Sequence, residues 1–250
     1  MMTSPRDPMQ TTASSSIGPH ATSPYNPPPM WQHVPNLITG SRLVLAAGFF
    51  VVLSLYQYRG WGHPTLLITA FIIFVLALIS DYLDGYLARK WKVEGAFGRV
   101  VDPFADKILV LGSFIFFAGK NFIIPESVET IGAHPLWVKT ITGVAPAMVI
   151  VLLARELLVT SLRGISEAAG QNFGAVWAGK FKMGFQSGTI IAILVYVTFR
   201  PWLIEHNYEL IARILRDIGI WGTMLITVYS GMTYVGKAVS LFRQSAERAA

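Results

Sequence analysis

Apolar segments long enough to cross a lipid bilayer recur along this chain. A transmembrane helix needs about 20 mainly apolar residues, and six candidate segments are found at residues 37–58, 64–90, 99–119, 136–164, 175–199 and 218–241. The 250 residues are 53% hydrophobic and only 14% charged, with a mean hydropathy of +0.50, whereas soluble domains carry about 25% charged residues. The sequence therefore predicts an all-α integral membrane protein with six transmembrane helices.

The first 30 residues differ in composition from the rest of the chain. They contain seven prolines and many serines and threonines, and such a segment cannot bury enough apolar surface to fold. The sequence shows no basic start followed by an apolar stretch and a cleavage site, so we do not expect a signal peptide. We predict a disordered Pro/Ser-rich cytoplasmic tail at 1–30 and a six-helix transmembrane catalytic domain at 31–245. Residues 201–216 are too polar to span and are predicted to form an amphipathic surface connector.

Lysine and arginine are concentrated on one side of the predicted helices. The positive-inside rule places short loops rich in these residues in the cytoplasm. The second-to-third connection, the fourth-to-fifth connection and the C-terminal tail carry Arg89, Lys90, Lys92, Arg99, Arg163, Lys180, Lys182, Lys237, Arg243 and Arg248. We therefore predict cytoplasmic termini, although Arg200, Arg213 and Arg216 in the fifth-to-sixth connection run against this orientation. The net charge of +6 fits lipid headgroups, and no nucleic-acid partner is predicted.

Four aspartates interrupt the apolar sequence at the ends of the second and third predicted helices. They are Asp81, Asp84, Asp102 and Asp106. Ionisable side chains at bilayer depth are costly and mark functional sites, and residues three or four apart on a helix share a face. Because these helix ends flank a basic connection, the site is expected to face the cytoplasm.

Four neighbouring carboxylates repel one another unless cations share them. Cysteine is absent, and oxygen ligands suit Mg²⁺ or Mn²⁺. We predict two divalent cations, an arrangement that serves phosphoryl chemistry. Pairing of Asp81 or Asp84 with Arg89 is the structural alternative.

The aspartates belong to a longer pattern, D-x2-D-G-x2-A-R-x8-G-x3-D-x3-D, which runs without a mismatch from Asp81 to Asp106. This pattern resembles that of the CDP-alcohol phosphatidyltransferase family. The resemblance implies six transmembrane helices in a homodimer, a CDP-linked lipid donor, a pair of divalent cations and release of CMP. It assigns metal binding to Asp81, Asp84 and Asp102, and both metal binding and the catalytic-base role to Asp106. The residues it assigns to the CDP site are Gly85, Ala88, Arg89 and Gly98.

The first predicted helix opens with Pro35-Asn36-Leu37-Ile38-Thr39-Gly40-Ser41-Arg42. This resembles the family's P-N-x-I-T-x-x-R pattern, which implies that Asn36 and Thr39 contact CDP. An asparagine cap followed by a threonine in the first turn is the structural alternative. Arg42 requires an ionic partner, because a positive charge inside a transmembrane helix needs a phosphate or a carboxylate beside it.

Four basic residues could recognise an acceptor that carries its own phosphate. Arg155, Arg163, Lys180 and Lys182 lie toward the same predicted membrane side, and arginine and lysine both bind phosphate. Pairing of Arg155 with Glu156 or the aspartates, and ordinary flanking lysines, are the alternatives. Residues 154–163 and 179–182 resemble the bacterial phosphatidylglycerophosphate synthase branch, although Met183 stands where threonine is usual. That branch uses sn-glycerol 3-phosphate as acceptor.

We therefore predict transfer of the phosphatidyl group from CDP-diacylglycerol to sn-glycerol 3-phosphate, giving phosphatidylglycerol phosphate and CMP. Family members with other acceptors are the nearest alternatives: phosphatidylglycerol (in cardiolipin synthesis), inositol phosphate or serine. A divalent-cation transporter and an inactive scaffold are alternatives of other classes. Gly85 and Arg89 speak against a transporter, because ion conduction does not require glycine and arginine at those positions.

Overall fold

The computed structural model describes residues 34–58, 63–91, 96–124, 139–168 and 177–249. Six helices account for most of these ranges: α1 (Val34–Leu55), α2 (Pro64–Trp91), α3 (Ala96–Phe117), α4 (Pro146–Ala168), α5 (Trp177–Glu205) and α6 (Glu209–Ala249). A short 3₁₀ turn, Lys120–Phe122, follows α3, and Ile123 forms an isolated antiparallel bridge with Thr140. The prediction of an all-α fold is confirmed for the part of the chain described here. The proposed tail at 1–30 lies outside it.

The fourth helix begins later than predicted, at Pro146 rather than near residue 136. Proline suits a first helical turn because its missing N–H would have no partner there. Before it, the Thr142 hydroxyl donates to the Phe117 carbonyl at 2.7 Å, and Gly143 adopts a φ of 76°. These contacts hold residues 140–145 as a turn against the end of α3.

Residues 201–216 do not form the separate connector that was predicted, because α5 and α6 divide them, although most of their side chains are exposed. Helix α5 continues to Glu205 and α6 begins at Glu209. Asn207, with φ 59°, makes the left-handed turn between them, and the Tyr208 N–H donates to the Leu203 carbonyl at 2.8 Å. Asparagine tolerates this conformation, and the hydrogen bond is that of a Schellman helix end. The polar residues that suggested a connector lie in the facing ends of two antiparallel helices.

The helices form two groups that share a core. Helix α1 packs against α2 and α3, α6 packs against α4 and α5, and α2 and α3 contact the second group. Aromatic side chains fill the first group: the Phe49 and Phe74 ring centroids lie 5.5 Å apart, and Phe117 meets Phe122 edge-on. Among the described helices, Pro64–Leu83 and Phe181–Glu205 are long and apolar enough to cross a bilayer.

The bundle has two ends of different chemistry. The antiparallel succession of helices places Asp81, Asp106, Arg155 and Lys182 at one end, called here the aspartate end. Arg200, Glu209 and Arg216 lie at the other, the far end. Lys182 and Arg200 are 18 residues apart on α5, or about 27 Å at the helical rise. This separation matches the roughly 30 Å of hydrocarbon in a bilayer.

The far-end arginines are paired within the protein. Arg216 donates to the Ile141 carbonyl at 2.7 Å and to Asp217, and its guanidinium lies 4.7 Å from the Tyr196 ring centroid. Arg200 donates to the Tyr58 hydroxyl at 2.6 Å and lies near Glu209. These two arginines at the far end therefore have structural partners.

Candidate active site

One buried arginine joins carboxylates from two helices at the aspartate end. Arg42 lies on α1, and its side chain is 1% exposed. Its Nη2 lies 2.9 Å from Asp81 Oδ1 on α2, and its Nη1 donates to Asp106 Oδ1 on α3 at 3.1 Å. The partner that the sequence required for Arg42 is thus a carboxylate from each neighbouring helix. The same contacts bring Asp81 and Asp106 to one arginine.

The other predicted ligands lie on the same two helices. Asp84 is one turn after Asp81 on α2, and Asp102 is one turn before Asp106 on α3. Helical register carries residues at these spacings toward a common face. The side chains of several predicted site residues fall outside the described part of the structure: Asn36, Thr39, Asp84, Gly85, Ala88, Arg89, Gly98, Asp102 and Lys180. Their roles remain predictions.

The start of α1 bears on whether Asn36 is a helix cap, the structural alternative to a contact with CDP. Helix α1 begins at Val34, two residues before it. Asn36 therefore lies within the first turn and does not occupy the position that caps a helix. The contact of Asn36 with CDP stays a prediction.

The donor chemistry at the aspartate end suits hard divalent cations. Asp81 and Asp106 each meet Arg42 through Oδ1, and a carboxylate carries two oxygens with about four lone-pair positions. Among the side chains that the structure describes, three or more carboxylates or imidazoles do not gather at one place. The complete predicted ligand set needs Asp84 and Asp102, whose side chains are not described. Asp81 and Asp106 would supply two of the four predicted carboxylate ligands.

A second charged cluster joins α4, α5 and α6 at the same end. Arg155 donates to Glu156 Oε1 at 2.8 Å and to the Ser230 hydroxyl at 2.5 Å. Lys182 pairs with the same oxygen of Glu156. The three charged side chains are between 4% and 12% exposed. The structure therefore brings Arg155 and Lys182 together, and it also shows the pairing with Glu156 that was the alternative to phosphate binding.

Lys107 links the two clusters. It follows Asp106 on α3 and donates to the Thr160 hydroxyl of α4 at 2.8 Å. Arg163 lies two turns beyond Arg155 on α4, and its side chain is exposed. The aspartates and the basic cluster are thus parts of one polar region that crosses from α1 to α6.

Comparison with known proteins identifies the family to which this chain belongs. A family model described as CDP-alcohol phosphatidyltransferase matches residues 32–231. The chain belongs to the CDP-alcohol phosphatidyltransferase family. This confirms the resemblance carried by the Asp81–Asp106 pattern. The family is membrane-bound, which agrees with the two apolar helices that are long enough to span.

Several relatives bear the same name, CDP-diacylglycerol--glycerol-3-phosphate 3-phosphatidyltransferase. The protein from Bacillus subtilis (strain 168) is 29% identical over 215 residues, covering 82% of this chain and 94% of that protein. One from Yersinia pestis (strain Pestoides F) is 30% identical over 213 residues, covering 84% and 97%. One from Cereibacter sphaeroides is 32% identical over 161 residues, covering 64% and 62%.

The phosphatidyltransferase fold contains polar contacts that the sequence did not predict. Lys107 was not considered, although its place beside Asp106 inside an apolar helix was a usable signal. Ser230 and Tyr234 gave no such signal, since single polar residues are common in membrane helices. The structure shows that Ser230 bonds Arg155 and that the Tyr234 ring centroid lies 5.5 Å from its guanidinium. Both residues position the arginine for its neighbours.

Proposed function

We propose that this chain transfers the phosphatidyl group of CDP-diacylglycerol to sn-glycerol 3-phosphate, forming phosphatidylglycerol phosphate and CMP. The observation that carries the proposal is the pair of charged clusters at one end of the bundle. The Asp81–Asp106 cluster suits a cation-bound diphosphate, and the Arg155–Lys182 cluster suits a second phosphate. Relatives that align over more than four-fifths of the chain bear the name of this activity. A donor and an acceptor that both carry phosphate explain why two clusters are needed.

The reaction exchanges one phosphorus–oxygen bond for another. The free primary hydroxyl of the acceptor attacks the β-phosphorus of the donor, and the bond from that phosphorus to the CMP oxygen breaks. CMP leaves with the electron pair, and the hydroxyl proton passes to the Asp106 carboxylate. Divalent cations held by the four aspartates, Mg²⁺ or Mn²⁺, would supply charge neutralisation on the diphosphate and polarisation of the hydroxyl. Asp106 is by itself a weak base, with an ordinary pKa of about 3.9.

The acceptor phosphate is assigned to the basic cluster. Arg155 offers a planar fork and Lys182 a point charge, and Ser230 and Glu156 hold both in place. A bound acceptor phosphate would pair with Arg155 and Lys182, as Glu156 does in this structure. Arg163 and Lys180 extend the positive charge toward the surface of the bundle.

The bilayer surrounds all six helices in this proposal. Each described helix exposes large apolar side chains, which is expected of surfaces that face lipid: Val44 on α1, Ile72 on α2, Ile115 on α3, Ile150 on α4, Phe199 on α5 and Leu225 on α6. We place the aspartate end and both termini in the cytoplasm, with residues 1–30 as a cytoplasmic tail. We also expect a homodimer, as the family resemblance implies.

An acceptor panel tests the proposal. Purified protein is given CDP-diacylglycerol and Mg²⁺ with one of sn-glycerol 3-phosphate, phosphatidylglycerol, inositol phosphate or serine, and CMP release is measured. We expect release to depend on sn-glycerol 3-phosphate. Release with serine and none with sn-glycerol 3-phosphate would contradict the acceptor assignment. Metal flux into vesicles without nucleotide, together with no CMP release, would favour a transporter.

A further inference from the structure

We propose that Arg42 is a positioning residue that clamps Asp81 and Asp106 together and thereby sets the affinity of the site for divalent cations. The inference rests on the metal site of the proposed function, and it assigns to α1 a part in a site otherwise built from α2 and α3. The clamp acts before a cation binds and persists after it has bound.

The geometry of the contact is that of a clamp. An arginine side chain presents its N–H donors as a rigid planar fork. Here one Nη meets a carboxylate of α2 and the other meets a carboxylate of α3, at 2.9 and 3.1 Å. Two carboxylates brought to neighbouring positions repel each other. A single positive fork between them offsets that repulsion and fixes their separation.

Burial argues that Arg42 stays in place when a cation binds. Its side chain is 1% exposed, and α1 packs against both α2 and α3. Displacement from both carboxylates would separate this buried charge from two ion-pair partners, which is destabilising. A carboxylate has two oxygens with about four lone-pair positions, so a carboxylate that pairs with an arginine can also bind a cation. The cation therefore joins the clamp and does not replace it.

The alternative is that Arg42 is a competitor that holds the carboxylates only until a metal ion displaces it. The two roles predict opposite effects for a variant that keeps the charge but loses the fork. Lysine is such a residue, since its ammonium is a point charge that does not bridge two carboxylates in the same way. Loss of the clamp lowers metal affinity, whereas loss of a competitor raises it.

The experiment measures Mn²⁺ binding to purified protein in detergent, by electron paramagnetic resonance, without nucleotide or acceptor. We expect Arg42→Lys to raise the Kd for Mn²⁺ by about 10- to 100-fold, the usual effect of losing a residue that orients a metal ligand. The matched control is Arg216→Lys, which alters another buried arginine, 7% exposed, at the far end. This control should lower the melting temperature and leave the Kd within about twofold of the wild-type value.

An unchanged or lower Kd for Arg42→Lys would overturn the clamp. Wild-type protein that binds no Mn²⁺ would instead overturn the proposed metal site, and the clamp with it. If Arg42→Lys does not fold, a structure of the wild-type protein with Mg²⁺ and CDP decides the matter. We expect both Nη-to-Oδ distances to stay within about 3.5 Å, the hydrogen-bonding range. Separation of Arg42 from either carboxylate would overturn the inference.

Discussion

At the scale of single residues, Lys182 offers a direct test of acceptor recognition. Its side chain is 4% exposed and pairs with Glu156 beside Arg155. We expect Lys182→Met to raise the KM for sn-glycerol 3-phosphate by about 10- to 100-fold, because hydrogen bonds to charged groups contribute roughly 1.5–3 kcal/mol. Steady-state kinetics of CMP release measure this. The KM for CDP-diacylglycerol should change much less, and a change mainly in that KM would move Lys182 to the donor site.

A matched control for Lys182 is the exposed Lys120 in the 3₁₀ turn after α3. Lys120→Met removes the same charge from the opposite end of the bundle. We expect both KM values to match those of the wild type. A similar rise in the acceptor KM for Lys120→Met would indicate that overall charge, and not the local cluster, governs acceptor binding.

Ser230 tests whether the basic cluster depends on a buried hydroxyl. It is 0% exposed and accepts a hydrogen bond from Arg155 at 2.5 Å. Ser230→Ala leaves a buried arginine with one partner fewer, so we expect the free energy of unfolding to fall by about 1–3 kcal/mol. Denaturant titration in detergent measures this. Ser240, exposed and bonded to a carbonyl of its own helix, provides the control, and Ser240→Ala should change stability by less than about 0.5 kcal/mol.

At the scale of helices, two glycines should respond in opposite ways to the same substitution. A Cβ at Gly112 on α3 would lie 2.3 Å from the Phe50 ring of α1, whereas nothing lies within 4 Å of a Cβ at Gly48. The Phe50 ring also stacks on Phe116, with centroids 5.3 Å apart, so it cannot move away freely. We expect Gly112→Ala to destabilise the protein by about 1–3 kcal/mol through overpacking.

Gly48→Ala should instead stabilise by about 0.5–1 kcal/mol, because alanine loses less backbone entropy than glycine in a helix. Thermal unfolding of the two variants compares them directly. Equal effects of the two substitutions would contradict the close approach of α1 and α3 at Gly112.

The sequence predicted the helices better than the contacts between them. Apolar length predicted the positions of α1, α2, α3 and α5 to within a few residues at most ends, because it records how much helix a bilayer can cover. It misjudged residues 201–216 as a separate connector because they are polar, whereas α5 and α6 extend through most of them. In the structure, Arg216 and Tyr196 are buried against each other. Polar residues whose partners come from a neighbouring helix are not recognisable from one segment alone.

For the candidate site too, the sequence predicted features within one helix better than contacts between helices. Spacing within a helix predicted that the aspartates share faces, and in the structure Asp81 and Asp106 contact the same arginine. The sequence also required a partner for Arg42, but it could not choose one, since Asp106 lies 64 residues away. Lys107 and Ser230 were missed because their partners, Thr160 and Arg155, are on other helices. Such pairings depend on how helices pack, which local sequence does not specify.

At the scale of the whole molecule, orientation can be tested with single cysteines because the chain has none of its own. Arg213 is exposed at the far end and Ser240 is exposed on the part of α6 beyond the aspartate end. We expect a membrane-impermeant maleimide to label Arg213→Cys in intact spheroplasts and Ser240→Cys only after permeabilisation. The reverse labelling pattern would place the active site on the outer side of the membrane.

We predict that the transferase reaction depends on Asp81, and Asp217 is the matched control. Each carboxylate is 45% exposed and pairs with an arginine, Asp81 at the aspartate end and Asp217 at the far end. The decisive measurement is the yield of CMP and phosphatidylglycerol phosphate from CDP-diacylglycerol, sn-glycerol 3-phosphate and Mg²⁺. With the wild type and Asp217→Asn, we predict one CMP for each phosphatidylglycerol phosphate formed. With Asp81→Asn, we predict that the yield of both products falls by more than about 100-fold. The reason is that mutating a residue that merely orients a metal ligand already lowers activity by about 10- to 100-fold. Near-normal turnover by Asp81→Asn, or CMP formed without the lipid product, would contradict the account.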